Sequence, residues 1–153
     1  MLTFKTVMVV DDEADIRSAI GLYLVRHGYH CVEAGSALEA RLLLDSGVCP
    51  DLIVLDIMMP GTSGRDFLNE LRKHRKSQVP IVMLSALGGS DDVIGTYNDG
   101  ADFHLVKPFR PPMLLYAIDY LIGDLTPEEM IRVETKLLTE RDVFFGYRTL
   151  VSR

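Results

Sequence analysis

Five polar side chains follow short apolar runs in this chain of 153 residues, and their types suit one kind of chemistry. Carboxylates about 4 Å apart repel by about 4 kcal/mol at an effective dielectric of about 20, so a cluster of them requires a cation. Oxygen ligands suit Mg²⁺, and a hydroxyl or an ammonium group can donate to a phosphoryl oxygen. The candidates for Mg²⁺-dependent phosphoryl transfer to a carboxylate are Asp11, Asp12, Asp56, Ser85 and Lys107.

Asp56 is the central residue of this set. It follows the apolar run 52–55 and precedes the turn residues Pro60 and Gly61, and Gly64 opens a helical pattern. A carboxylate after a buried strand lies at the carboxyl edge of an open α/β sheet, where such folds place their chemistry. Taken alone, Asp56 is equally consistent with the start of a turn. The other acids favour the chemical role.

The apolar runs are typical of strands buried on both faces, as in a parallel sheet covered by helices. Helical patterns lie between them, and the second helix has an N-cap at Ser36 with a capping-box partner at Glu39. Strand and helix alternate five times within about 120 residues, which predicts a doubly wound α/β fold with five parallel strands. Since parallel strands end at one edge, the polar set should converge. The predicted strands are residues 7–10, 29–34, 52–55, 80–84 and 103–106.

Composition argues against several classes of protein. A net charge of −6 and a pI near 5.1 argue against a nucleic-acid-binding surface. No apolar run approaches the ~18 residues of a membrane span, and the N-terminus lacks the layout of a signal peptide. Cys31 and Cys49 lack the spacing of a zinc site and are expected to be reduced thiols. We therefore expect a cytoplasmic protein that contacts neither nucleic acid nor membrane directly.

The motifs, taken together and in order, resemble those of a response-regulator receiver domain of bacterial two-component signalling. The resemblance covers about residues 4–123 and implies a flavodoxin-like strand order of 2-1-3-4-5. Residues 124–153 lie outside it. The motifs that carry the resemblance are Asp11-Asp12-Glu13, Asp56-Ile-Met-Met-Pro60 with Gly64, Ser85-Ala86, and Lys107-Pro108-Phe109.

The resemblance implies a role for each acid of the cluster. Asp56 is expected to be the phosphoacceptor, which receives its phosphoryl group from a sensor histidine kinase or a phosphotransfer protein. Asp12 and Asp56 are expected to coordinate Mg²⁺ together with the backbone carbonyl of Met58, while Asp11 holds a metal-bound water. Such a protein is a phosphoacceptor that assists its own phosphorylation, and not an enzyme acting on other substrates.

The resemblance also implies a conformational switch. Lys107 is expected to pair with a phosphoryl oxygen, the peptide before Pro108 to be cis, and Ser85 to move inward toward the phosphate. In the family this movement couples to an aromatic residue three positions before the lysine, where this chain has His104. Either His104 is an exposed strand-end residue with no special role, or the switch runs through it and weakens as the imidazole becomes charged and resists burial.

Two positions bear on the lifetime of the phosphorylated form. In the family, the residues two positions beyond the phosphoacceptor and two beyond the switch hydroxyl help to position the hydrolytic water. Here they are Met58 and Leu87, whose side chains carry no oxygen or nitrogen. The sequence therefore predicts slow autodephosphorylation, although the two side chains are also consistent with simple packing.

The output side of the switch is expected to be weakly structured. Gly88 and Gly89 precede the predicted fourth helix, and Gly95 lies inside it, so this helix should be among the least stable elements. Phosphorylation is expected to alter the face formed by the fourth helix, the fifth strand and the fifth helix, most simply by promoting a homodimer through it.

Residues 124–153 are predicted to be a helical extension. Thr126 and Glu129 form a capping box around Pro127 at the first helical position. Three interpretations remain open: a helix that mediates self-association or signal relay, which we favour, a helix that docks on the receiver, and the start of a linker to an output domain. The apolar positions, which resemble a heptad seam, are Met130, Val133, Leu137, Phe144, Tyr147 and Val151.

Three other classes compete with this interpretation. A haloacid-dehalogenase-type phosphatase would need a second acid where Met58 stands. A flavodoxin-type binding module would need a phosphate-cradling loop after the first strand, where this chain has three acids. A degenerate receiver, acting as an interaction module independent of phosphorylation, would not need the complete set of site residues.

Overall fold

The computed structural model describes residues 4–86, 90–139 and 143–145 of the chain, in which strands and helices alternate as predicted. The strands are β1 (Thr6–Val10), β2 (His30–Ala34), β3 (Leu52–Asp56), β4 (Ile81–Ser85), β5 (Phe103–Val106) and β6 (Val143–Phe145). The helices are α1 (Ala14–Arg26), α2 (Ala37–Asp45), α3 (Gly64–Asn69), which continues as a π-helical turn (Glu70–His74), α4 (Ser90–Asn98), α5 (Pro111–Ile122) and α6 (Pro127–Thr139).

All six strands belong to one sheet of order β2-β1-β3-β4-β5-β6. The first five are parallel, which confirms the predicted fold class and the strand order 2-1-3-4-5. The sixth strand was not predicted, and it runs antiparallel to β5. The register places Asp56 beside Leu84 and Ser85 beside Val106. The polar residues that end these strands therefore lie along one edge of the sheet.

The core has two apolar layers, one on each face of the sheet. Val7 and Val9 of β1 belong to the layer formed with α1, α5 and α6. Met8 and Val10 of the same strand belong to the layer formed with α2 and α3. All four are fully buried, because alternate side chains of a strand point to opposite faces and both faces are covered by helices.

Side-chain caps start the helices where the sequence indicates. The Ser36 hydroxyl accepts a hydrogen bond from the Glu39 amide at 3.1 Å, and the Glu39 carboxylate accepts one from the Gly35 amide at 2.6 Å. Thr126 and Glu129 form the reciprocal capping box at the start of α6. Among the described residues, every helix is too short or too polar to cross a bilayer.

A buried ion pair fastens the start of β5. The Arg72 guanidinium lies 3.3 Å from the Asp102 carboxylate, and both side chains are less than a tenth exposed, at 9% and 7%. Arg72 also donates to the Gly100 carbonyl at 3.0 Å, and the Asp102 carboxylate accepts from the Ile81 amide at 2.9 Å. Arg72 opens a run of basic residues, 72–76, of a kind that usually forms a solvated face at a helix end, but its own side chain is buried in this pair.

The C-terminal helix, α6, contributes to the apolar core. Val133 and Leu137 are buried in the layer that contains α5. The predicted helix is confirmed as far as Thr139, but its continuation through Phe144 is wrong, because Val143–Phe145 is a strand. The sequence Val-Phe-Phe has high β propensity, and β5 offers it an open edge. The positions 147 and 151 of the predicted seam lie outside the described residues.

Two adjacent leucines of α6 test this packing. Leu137 is fully buried, whereas Leu138 is 66% exposed. Leu137→Ala should lower the free energy of unfolding, measured by urea denaturation, by about 3 kcal/mol, since it removes core contacts and leaves a cavity. Leu138→Ala should change it by less than about 0.5 kcal/mol. Equal effects of the two substitutions would show that α6 does not pack on the core.

Candidate functional site

Three acids from two strand ends converge at the carboxyl edge of the sheet. Carboxylate oxygens of Asp11, Asp12 and Asp56 all lie within 4.8 Å of one another. Asp11 and Asp56 are buried, and Asp12 is exposed. The predicted convergence of these residues is therefore correct.

Lys107 supplies the positive charge of the site. Its Nζ lies 3.0 Å from Asp11 Oδ2, 3.5 Å from Asp56 Oδ2 and 4.0 Å from Glu13 Oε1. Burial lowers the pKa of Lys107, but the hydrogen bond to Asp11 and the charges of Asp56, Asp11 and Glu13 outweigh burial, so its pKa is raised. Lys107 is therefore a firmly charged cation that faces two buried acids.

One cation does not balance this cluster. Burial and the nearby charge of Asp11 raise the pKa of Asp56 from its ordinary value of 3.8 to about 6, although Lys107 and the Met58 amide act in the opposite direction. At neutral pH the ionised Asp56 is therefore held in an unfavourable environment. A divalent cation with oxygen ligands would relieve that cost.

Backbone contacts set the position of Asp56. The next amide, that of Ile57, donates to the Leu84 carbonyl at 2.9 Å, and the Gly64 amide donates to the Ile57 carbonyl at 3.0 Å. A Cβ atom on Gly64 would lie 2.0 Å from the Asp56 carbonyl oxygen. Only glycine allows α3 to start so close to the end of β3, which explains the glycine at position 64.

Asp11 is held by contacts from α1. The Glu13 amide donates to Asp11 Oδ1 at 2.9 Å, and the Arg17 guanidinium donates to the Asp11 carbonyl at 2.6 Å. Sequence reasoning did not single out Arg17 as a residue that positions the site. Its signal was available, since it lies one helical turn beyond Glu13 and so faces the loop of acids.

Lys107 is positioned by the neighbouring strand. Its amide donates to the Ser85 carbonyl, and the following peptide bond, before Pro108, is cis. Ser85 itself is buried at the end of β4. The two predicted donors therefore end adjacent strands at the same edge as the acids.

His104 lies apart from the acids. Its side chain is fully buried, and its Nδ1 lies 3.2 Å from the hydroxyl of Thr96 on α4. The hypothesis that His104 is an exposed strand-end residue is therefore wrong. Because β5 carries His104 in its middle and is followed directly by Lys107, one short strand joins the site to α4.

Of the two positions expected to bear on hydrolysis, one is described. The Met58 side chain is 66% exposed beside Asp56, and the Met58 amide donates to Asp56 Oδ1 at 3.3 Å. Leu87 lies outside the described residues. The side chain next to the candidate phosphoacceptor is therefore apolar and accessible.

The chain belongs to the response regulator receiver domain family, whose profile matches residues 7–119. It is 41% identical over 112 residues to the phosphate regulon transcriptional regulatory protein PhoB of Pseudomonas aeruginosa, covering 72% of this chain and 48% of that protein. It is 44% identical over 112 residues to the probable transcriptional regulator ycf27 of Guillardia theta, covering 73% of this chain and 43% of that protein. The chain thus spans about half the length of these curated relatives.

Solved structures agree with this assignment. The chemotaxis protein CheY4 of Vibrio cholerae superposes with a TM-score of 0.72 at 29% identity, covering 78% of this chain and all of that one. The fold, the acidic cluster and the family therefore indicate the receiver domain of a two-component response regulator.

Substitution of Asp56 tests the electrostatic cost of the cluster. A carboxyl group whose folded pKa is raised to about 6 opposes folding above that pH, and the opposition fades as pH falls toward 3.8. Asp56→Asn should therefore raise the free energy of unfolding in EDTA by about 2 to 3 kcal/mol at pH 7.5. The gain should nearly vanish at pH 4.

The matched control is Asp12→Asn, which removes an exposed acid of the same cluster and should give a smaller gain. Urea denaturation at the two pH values measures both variants. An Asp56→Asn protein that is less stable than the wild type at pH 7.5 would contradict this account of the site.

Proposed function

We propose that Asp56 is the phosphoacceptor of a Mg²⁺-dependent two-component switch. The observation that carries the proposal is a buried carboxylate of raised pKa between an acid pair and a lysine at 3.5 Å. Asp12 and Asp56 would hold Mg²⁺ with the Met58 carbonyl, and Asp11 would hold one of its waters. When bound, the ion neutralises the acids and offsets the charge of the transferring group.

The residues of the chain supply the rest of the chemistry. Asp56 attacks the phosphorus atom of a phosphohistidine on a histidine kinase or phosphotransfer protein, and the P–N bond to that histidine breaks. Lys107 donates to an oxygen of the new phosphoryl group, and Ser85 donates to a second one. Attack requires the ionised form of Asp56, which Lys107 favours by its charge.

The phosphorylated state is read on the face formed by α4, β5 and α5. Recruitment of Ser85 and Lys107 pulls on the ends of β4 and β5, and His104 transmits the change to Thr96 on α4. Self-association of the phosphorylated chain is the simplest output.

The setting is cytoplasmic, and the chain acts on no substrate beyond its own phosphoryl group. The complete set of Asp11, Asp12, Asp56 and Lys107 favours this function over a phosphorylation-independent interaction module.

Phosphorylation by acetyl phosphate tests the assignment. Intact mass spectrometry should detect one added phosphoryl group on the wild type with Mg²⁺, and none with EDTA or on Asp56→Asn. Lys107→Ala should slow labelling by about 100-fold, because one donor to the developing charge is lost. The exposed Lys136→Ala serves as the matched control and should label at the wild-type rate. Labelling of Asp56→Asn, or labelling in EDTA, would refute the proposal.

The lifetime of the phosphorylated form provides a second test. Without a polar side chain at position 58 to orient water, hydrolysis of the phosphoaspartate should be slow. Met58→Asn should accelerate the loss of the phosphoryl group by about tenfold, since an amide can position the attacking water. Met58→Leu, which stays apolar, should leave the rate unchanged. A wild-type phosphoaspartate that lasts only seconds in Mg²⁺ buffer would contradict this account.

A further inference from the structure

The outer edge of β5 is covered by a segment of the same chain. Val143–Phe145 pairs antiparallel with Phe103–Leu105, so that Phe144 lies opposite His104. Without this cover, the outward backbone N–H and C=O groups of β5 would form an open sheet edge. Open edges are templates for pairing with another chain.

The cover is short, but it is tethered by a firmly packed helix. β6 has three residues, whereas α6 buries Val133 and Leu137 in the core beside α5. Only three residues separate the end of α6 from the start of β6. Loss of the strand pairing would therefore leave α6 in place and keep β6 close to the edge.

The composition of α5 explains why α6 packs beside it. Its sequence, Pro-Pro-Met-Leu-Leu-Tyr-Ala-Ile-Asp-Tyr-Leu-Ile, contains one charged residue, Asp119. That carboxylate accepts a hydrogen bond from the Tyr29 hydroxyl at 2.6 Å. A helix that is apolar nearly all round requires a cover on its outer side, and α6 provides it.

We propose that β6 is a removable cover of the β5 edge, which keeps a second copy of this chain from pairing there. The direction of β6 supports this occupant. A second copy related by a two-fold axis would bring its own β5 antiparallel to the first, which is the direction that β6 now has. The tethered strand is present at an effective concentration of about millimolar, so it outcompetes a second copy at micromolar concentration.

The position of β5 gives the cover a link to the site. β5 contains the buried His104 and is followed by Lys107, which lies 3.5 Å from Asp56. A displacement of either residue would disturb the strand on which β6 pairs. Release of β6 by phosphorylation rests on the proposed function, whereas the covering of the edge does not.

Sedimentation velocity of the full chain tests the cover. Phe144→Pro removes a backbone N–H and imposes a fixed φ on the middle residue of β6, which disrupts its pairing. Phe144→Ile, with high β propensity, is the matched control. We expect Phe144→Pro to form a discrete dimer without any phosphoryl analogue, at a dimer dissociation constant lowered by about tenfold or more relative to the wild type. The control should behave as the wild type does.

Hydrogen exchange of a peptide covering Phe103–Val106 shows whether the substitution acts where intended. Exchange should accelerate there in Phe144→Pro when measured as monomer at low concentration, while β1 and β3 stay protected. Faster exchange at the β5 edge with no dimer at high concentration, or open-ended aggregation in place of a dimer, would overturn the proposal. Unchanged exchange at this edge would also overturn it, since β6 would then not protect it.

Beryllofluoride with Mg²⁺ separates this proposal from the proposed function. If the wild type dimerises with beryllofluoride but Phe144→Pro is monomeric without it, the cover proposal is wrong. If Phe144→Pro is a dimer both with and without the analogue, the cover proposal stands. If Phe144→Pro dimerises and the wild type ignores beryllofluoride, the cover stands and the phosphorylation-driven output fails. The single substitution Asp56→Ala should abolish dimerisation in response to beryllofluoride.

Discussion

Repulsion between buried carboxylates is the constraint on which the rest of this structure depends. Asp11 and Asp56 are buried at the ends of adjacent parallel strands, and Asp12 lies within reach of both. The raised pKa of Asp56 shows that Lys107 compensates this charge only in part. The core on both faces of the sheet must therefore stabilise a site that opposes folding. A bound cation would lower the repulsion among these carboxylates, so cation binding is favoured by the fold itself.

Much of the fold could be predicted because its information is local. The buried strands are uninterrupted apolar runs, and the capping residues Ser36 and Thr126 mark helix starts within a few positions. The convergence of Asp11, Asp56 and Lys107 then follows from topology alone, since all parallel strands end at one edge. No contact between distant residues had to be guessed to bring the acids together.

The features that the sequence did not reveal depend on contacts between distant segments. A run of basic residues such as the one that Arg72 begins usually lies in solvent, but Arg72 forms an ion pair with Asp102, 30 positions away. The burial of His104 depends on α4 and its Thr96. Propensity could indicate a strand at Val143–Phe145, yet it could not indicate which edge would accept it. One signal was available for the C-terminal segment, since the nearly uncharged sequence of α5 requires a covering element.

These two groups of features meet at β5. The strand is held at its start by the pair of Arg72 and Asp102, it pairs with β4 along its length, and it is followed by Lys107 at the site. On its outer edge, β5 pairs with β6, a segment of only three residues. A disturbance that begins at Lys107 thus meets rigid packing on the inner side and a short antiparallel pairing on the outer side. The least costly response of β5 is therefore at the edge that β6 covers.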